Sequence, residues 1–276
     1  MTPILAHARV AADGATPDRW MLFLHGILGS GANWRTFARR LVAAKPEWGA
    51  VLVDLRLHGD SQPKDGAFGP PHTLRSAAHD IEELVATLPG SARGILAHSF
   101  GGKVGLELAK GSALSLSHFF LIDSNPGARP TARGSESTRH IVDILGEVPE
   151  EFADRQAFTA WIEQRGVSRP VAMWLAMNVR PLPNTTRYTF RIDLAGVREL
   201  LDDYFREDLW SVLERPSGEV RIDLVVGGKS SVLDADDIER ARRCPRTTVH
   251  VIEDAGHWVH ADAPDALFEI VQASLG

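Results

Sequence analysis

Apolar residues in this chain gather into short unbroken runs separated by stretches of helical spacing. Runs at 20–24, 49–55, 117–123, 220–226 and 247–252 have few polar interruptions, and another leads into Ser99. A strand covered on both faces reads this way, whereas one wet face would alternate. Leu74, Ala77, Ala78, Ile81, Leu84, Val85 and Leu88 predict a helix over 74–88 that stops at Pro89-Gly90. Asn33 is the expected N-cap of a helix over 34–44, and two more helices are expected over 234–243 and 264–275. Residues 2–12 alternate weakly and suit an edge hairpin strand, and a Pro/Gly-rich loop is expected over 62–72. Strands alternating with helices predict an α/β domain with a mostly parallel central sheet and helices on both faces.

The alternation lapses between about 129 and 210, where only helical or irregular patterns occur, broken by Pro170, Pro181 and Pro183. The simplest organisation is a core of 1–128 and 211–276 with a helical cap over 129–210, inserted after the sixth strand. The insertion is rich in aromatic and Met residues, among them Trp161, Trp174 and Met177. Most should simply fill the cap's own core. A cap of this composition over a site nevertheless favours an apolar ligand, with Leu28, Trp161, Trp174, Met177 and Trp258 as candidate pocket residues.

The stretch Gly94 to Val104 carries the first chemical signal. An apolar run breaks at Ser99 and continues at once as helix-forming residues, with Ala97 and Gly101 two positions away on either side. A strand that turns this sharply into a helix strains the corner residue and leaves no room for large neighbours. The turn holds a serine hydroxyl clear of the sheet and aims the Phe100 amide, at a helix N-terminus, toward developing negative charge. Serine needs a base. Of the 11 histidines, His257 lies just past the last strand, on the sheet edge where Ser99 also emerges. His98 should point away from Ser99, and His25 and His58, each before a Gly, should brace loops.

Composition narrows the function classes. A net charge of −6 without any Lys/Arg-dense run disfavours nucleic acid. Cys244 is the only cysteine, so no internal disulfide forms and a reducing, cytoplasmic setting is expected. No run approaches a membrane span and no signal peptide is evident, so no membrane partner is expected. No metal or cofactor is expected, since His257 and His260 lack a completing carboxylate or histidine cluster. A small-molecule enzyme, monomeric or a small homo-oligomer, fits best.

With these residues in view the chain resembles the α/β-hydrolase fold family over nearly its whole length. The matching stretches are His25-Gly26, the D-x-R-x-H-G-x-S loop from Asp54 to Ser61, the Ser99 elbow and Gly256-His257. The segments around His25, Ser99 and His257 are more narrowly similar to the YbfF-type esterase branch, which hydrolyses acyl esters and thioesters. The resemblance implies a Ser99–His257–acid triad and a second oxyanion donor after His25-Gly26, namely the amide of Ile27 with Leu28 as fallback. It also poses a question, because the family's usual acid follows the strand at 220–226, where Ser stands in Gly227-Gly228-Lys229-Ser230-Ser231. Asp123, at the tip of the strand after the elbow helix, is the favoured acid; Asp234 or a near neighbour, or Ser231 orienting His257 without a carboxylate, remain alternatives. The expected activity is serine-dependent hydrolysis of small, largely apolar carboxylic esters, and by extension acyl thioesters, through an acyl-enzyme. Carbon–carbon bond hydrolysis, lactone opening and perhydrolysis use the same Ser–His pair and stay open, and a low-turnover small-molecule receptor is a further alternative. Arg129, Arg133 and Arg139 at the cap's start would suit an anionic leaving group or, more simply, a solvated face.

Overall fold

Successive side chains of the second strand, β2 (Arg19–Leu24), enter opposite cores. Met21 and Phe23 pack with Trp34, Phe37, Leu41, Phe268 and Val271, while Leu22 and Leu24 pack with Leu74, Ile81, Leu84 and Val104. This period of two, with both phases apolar, is why the run shows no alternation. The computed structural model describes residues 3–62, 68–111 and 114–276, so part of the loop expected over 62–72 lies outside the described residues. In chain order the first half comprises β1 (His7–Val10), β2, α1 (Arg35–Ala44), β3 (Trp48–Val53), α2 (Leu74–Val85), β4 (Ser91–His98), α3 (Phe100–Gly111) and β5 (His118–Ile122). Then come α4 (Glu136–Leu145), α5 (Arg155–Glu163), α6 (Arg169–Leu175), β6 (Val179–Pro181), β7 (Tyr188–Phe190), α7 (Leu194–Arg206) and α8 (Trp210–Glu214). The chain closes with β8 (Arg221–Gly227), α9 (Ala235–Arg242), β9 (Thr247–Ile252), α10 (Val259–Asp262) and α11 (Pro264–Leu275).

Seven strands form one sheet in the order β1-β3-β2-β4-β5-β8-β9, parallel throughout except for β1, which runs antiparallel to β3. The apolar residues of α1 and α11 cover one face, and those of α2 and α3 the other. Among the described residues no helix is long and apolar enough to cross a membrane.

Four local expectations need correction. The first strand pairs with β3 and forms no hairpin with β2, because its register runs His7↔Val53 to Val10↔Ala50. The first helical segment begins earlier than Asn33, with a 3-10 turn over Gly31–Trp34 whose N-cap is Ser30. The Asn33 carboxamide faces backward and accepts from the Ser30 amide at 2.7 Å, so it closes the turn from inside. The segment between the two halves of the core leaves after β5, the fifth strand, since residues 7–10 are the single strand before β2. Nor is that segment wholly helical: β6 and β7 pair antiparallel, Val179↔Phe190 to Pro181↔Tyr188. Three-residue strands are too short to show a period, and Pro181 sits at the end of its strand, where a missing N–H costs no ladder bond.

Candidate active site

The parallel order sets the C-termini of β2, β4, β5, β8 and β9 side by side, and His25, Ser99, Asp123, Ser230 and His257 all lie in the turns that follow them. At the β4–α3 corner Ser99 has φ +53°, a left-handed backbone held by its amide donating to the Ile122 carbonyl (3.0 Å) and its carbonyl accepting from Gly102 N–H (2.8 Å) and Ser124 Oγ (2.7 Å). Gly101 is required here by contact, for a Cβ would stand 2.5 Å from the His25 carbonyl oxygen.

The imidazole of His257 lies between two of the predicted residues. Its Nε2 is 3.0 Å from Ser99 Oγ and its Nδ1 is 2.6 Å from Asp123 Oδ2. Because the carboxylate can only accept, Nδ1 carries the proton and Nε2 is left as the acceptor for the serine hydroxyl. Asp123 is fully buried, with φ +42°. Its charge is met by three donors: His257 Nδ1–H, Ser230 Oγ–H at 2.6 Å, and the Gly227 amide on Oδ1 at 3.0 Å. Gly227 has to lack a side chain, since a Cβ there would come within 2.2 Å of the Gly256 carbonyl. The carboxylate also reaches Tyr204 electrostatically: burial first, and then the Asp123 charge, hold the Tyr204 phenol above its ordinary range.

The alternatives for the acid lie elsewhere. Asp234 caps α9, accepting from the Asp237 amide at 2.9 Å, and faces Arg133 at 3.2 Å. Ser231 is exposed and is not among the hydrogen-bond partners of His257, which are Asp123, Ser99 and His98; its neighbour Ser230 is the serine that reaches Asp123. Sequence reasoning missed Ser230 by one residue. The signal was the Gly227-Gly228 pair: the tight turn from the Ser230 amide to the Gly227 carbonyl (2.9 Å) turns Ser230, rather than Ser231, back toward β5. Arg129, Arg133 and Arg139 are occupied by Asp237, Asp234 and Asp202 respectively.

Two buried histidines build the loop opposite Ser99. His25 donates from Nδ1 to the Gly26 carbonyl (2.8 Å) and accepts the Leu55 amide at Nε2 (3.0 Å). His58 donates from Nδ1 to the Arg56 carbonyl (2.8 Å) and accepts the Leu28 amide at Nε2 (3.0 Å). Desolvation lowers their pKa values to about 4 and about 3, so both stay neutral and retain the acceptor nitrogen that each bond needs. Leu28, at φ +63°, therefore has its N–H engaged, while the amides of Ile27 and Phe100 have no hydrogen-bond acceptor among the described residues. The inserted segment ties down the same loop through Asn178 Nδ2–H, which donates to the Leu28 carbonyl at 2.9 Å.

His98 points away from Ser99, yet its Nε2 lies 2.8 Å from the main-chain carbonyl of His257 and its ring centroid 4.7 Å from that of His257. Burial, then the neighbouring His257 and His260, depress its pKa well below the usual histidine value. Beneath the elbow, the buried Lys103 gives its three donors to the carbonyls of Gly127 (2.8 Å), Tyr204 (2.6 Å) and Glu207 (2.8 Å). That joins α3 to the loop after β5 and to the C-terminal end of α7.

Above Ser99 is a cavity of about 640 Å3. Its walls combine core residues (Gly26, Ile27, Leu28, Trp34, His257, Trp258) with Thr138 and Ile141 of α4 and Pro170, Val171 and Trp174 of α6. Leu28, Trp174 and Trp258 thus lie where a pocket was expected, with the Trp174 and Trp258 rings 5.0 Å apart. Trp161 and Met177 do not. Trp161 packs against Phe152 and Phe158 inside the inserted segment, under the Arg165 guanidinium at 4.0 Å, and Met177 faces solvent. Among the described residues no group of three or more His, Cys, Asp or Glu side chains is placed to hold a metal ion.

Comparison with known proteins gives concordant matches. A family model described as the alpha/beta hydrolase family matches residues 21–270. The chain is 30% identical over 288 residues to esterase Rv0045c of Mycobacterium tuberculosis, covering 99% of this chain and 90% of that one. It is 26% identical over 259 residues to esterase YbfF of Escherichia coli, covering 92% of each. Among solved structures, a marine microorganism esterase shares the fold with a TM-score of 0.83 at 20% identity, over 98% of both chains.

Proposed function

The chain belongs to the alpha/beta hydrolase family, and from that premise we propose that it is a serine esterase acting on small, largely apolar carboxylic esters. The observation that carries the reading is the continuous hydrogen-bonded line Ser99–His257–Asp123, at 3.0 and 2.6 Å, opening onto an apolar cavity. Both named relatives are esterases, which supports the same reaction class.

In this mechanism His257 Nε2 takes the proton of Ser99 as Oγ attacks the ester carbonyl. Asp123 keeps Nδ1 protonated and stabilises the imidazolium that forms, and Ser230 and the Gly227 amide hold the carboxylate in line. The amides of Phe100 and Ile27 receive the oxyanion; each such donor contributes about 3 kcal/mol to the transition state. His257 then protonates the leaving alcohol, or thiol for a thioester, and activates water against the acyl-enzyme. The segment over 129–210 acts as a cap on the core, supplying the apolar wall through α4 and α6. Its boundary at 210 falls on the first residue of α8. The protein works without cofactor or metal in the reducing cytoplasm, as a monomer or small homo-oligomer.

Hydrolysis of nitrophenyl esters of short, medium and long acyl chains tests the reading, with Ser99→Ala beside the wild type. Turnover confined to the wild type is expected, and its chain-length optimum measures the cavity. Equal rates in the two proteins would remove Ser99 from the mechanism.

A further inference from the structure

Residues 164–192 carry five arginines, Arg165, Arg169, Arg180, Arg187 and Arg191, and not one Asp or Glu, in a chain whose net charge is −6. The same stretch holds Met173 and Met177, 58% and 43% exposed; with Ile4 they are the only exposed large hydrophobic side chains among the described residues. The two methionines are four residues apart and so share one side of α6 and the turn that extends it. The adjoining side of α6 lines the catalytic cavity through Val171 and Trp174. Pro170 belongs to both, being exposed and part of the cavity wall. The residue after Met177, Asn178, grips the Leu28 carbonyl of the loop facing Ser99. The apolar, cationic face is therefore the outer rim of the site.

We propose that this face is a docking surface for an anionic lipid bilayer, from which the esterase draws ester substrates dissolved in the membrane. The inference rests on the esterase reading for its substrate and on the surface alone for its partner. Two exposed methionines beside a cavity suit an acyl interior, and flexible thioethers adapt to a disordered one. Arg169 and Arg180, which flank the methionines, suit the headgroups, whereas Arg187 pairs with Glu151 at 3.3 Å and Arg165 lies over the Trp161 ring. Arg180 donates to the Met177 carbonyl, which keeps its guanidinium beside that methionine. Arg169, in the turn before Met173, is 73% exposed and among the described residues pairs only with Glu163, at 3.5 Å. Such an exposed pair is weak enough to exchange for a phosphate. A free anionic substrate would explain the arginines but not the methionines on the outer side of the helix. A neutral apolar partner would explain the methionines but not a stretch purged of acids. A surface that is negative outside and hydrocarbon within explains both. The contact is peripheral, and it revises the expectation of no membrane partner, which rested on the lack of a membrane span.

Flotation with vesicles tests the proposal independently of turnover. At about 0.1 M salt, wild type and Ser99→Ala should both co-float with phosphatidylcholine vesicles containing about one-third phosphatidylglycerol, and with neither pure phosphatidylcholine nor at high salt. Met173→Ser/Met177→Ser and Arg169→Gln/Arg180→Gln should each weaken partitioning about tenfold or more while hydrolysing a soluble short-chain ester at the wild-type rate. That last control separates failure of this proposal from failure of the esterase reading. Absence of flotation, equal flotation with neutral vesicles, or undiminished binding by both double variants would overturn the proposal. So would a raised KM of the arginine variant for a soluble anionic ester, such as an acyl-coenzyme A, without any vesicle binding by the wild type.

Discussion

Replacing Asp123 with Asn discriminates among the possible acids most sharply, because the three hydrogen bonds to its carboxylate determine what an amide can do there. Oδ2 receives two donors, His257 Nδ1–H and Ser230 Oγ–H, and Oδ1 receives the Gly227 amide. An Asn oxygen placed toward His257 would set the NH2 against the Gly227 N–H, a donor–donor clash that no rotation relieves. With the NH2 toward His257 instead, the serine hydroxyl can turn to accept, but the imidazole has to present a bare Nδ1. Its proton then sits on Nε2, facing Ser99 Oγ at 3.0 Å, and the base cannot accept. Loss of the competent tautomer in serine proteases costs about 10,000-fold in kcat, or about 5 kcal/mol of transition-state stabilisation. The same order is expected here, with KM changed little. Ser230→Ala removes one donor and leaves the tautomer intact, so a loss near tenfold is expected, about 1.4 kcal/mol. Asp234→Asn keeps an N-capping side chain on α9 and should leave kcat within about twofold. Nitrophenyl ester kinetics on the three variants, each shown folded by circular dichroism, provide the test. If Asp123→Asn kept more than a tenth of wild-type kcat while Asp234→Asn fell severely, the acid would lie at the start of α9 and the tautomer argument would be wrong.

Two other outcomes follow from buried histidines. His98 is a positioning residue whose Nε2–H holds the His257 carbonyl, so His98→Phe should lower kcat by about tenfold and shift the acid limb of the pH–rate profile, with partial rescue by the donor-bearing His98→Gln; a wild-type profile in His98→Phe would count against it. His25, His58 and His260 have folded pKa values of about 4, 3 and 4, below their ordinary value of 6.5. The unfolded chain therefore takes up protons first as the pH drops. Above pH 6.5 these groups contribute nothing to the pH dependence, whereas between 6.5 and about 4 each draws off up to about 1.4 kcal/mol of stability per pH unit. Urea midpoints should fall from pH 7 to pH 5, and a flat profile would refute the burial argument.

The sheet and the Ser99 corner were legible because each is written locally. An unbroken apolar run denotes a strand with two dry faces, and Ala97-x-Ser99-x-Gly101 records a steric demand that the structure locates at the His25 carbonyl. Strand bounds at β9 and helix bounds at α11 coincide with the residues expected, since turn residues flank both. What escaped notice depends on contacts distant in sequence. Trp161 and Trp174 are the same residue type in one segment. Whether either lines the cavity depends on how α5 and α6 pack, which no spacing within either helix encodes. The hairpin of β6 and β7 exists only through pairing across its loop. Ser230 and Ser231 differ by the register of one turn.

The neutral histidines share a logic that motif matching does not convey. Only an uncharged imidazole can both donate and accept along a rigid ring, and His25 and His58 use that property in the same way, joining a carbonyl in one strand-end loop to an amide in the next. The ring centroids are 5.1 Å apart, so protonating one raises the cost of protonating the other. The consequence reaches the proposed chemistry. Because His58 consumes the Leu28 N–H, Leu28 has no amide to offer an oxyanion, and the preference for Ile27 over Leu28 becomes a question of hydrogen-bond accounting. His98 extends the pattern to the base itself, with Ser99 and the main chain of His257 both held from the end of β4. The proposed nucleophile and base, fixed to the same strand end, shift together when the sheet flexes, so thermal motion of the sheet should disturb their 3.0 Å separation far less than it disturbs the distance to α6.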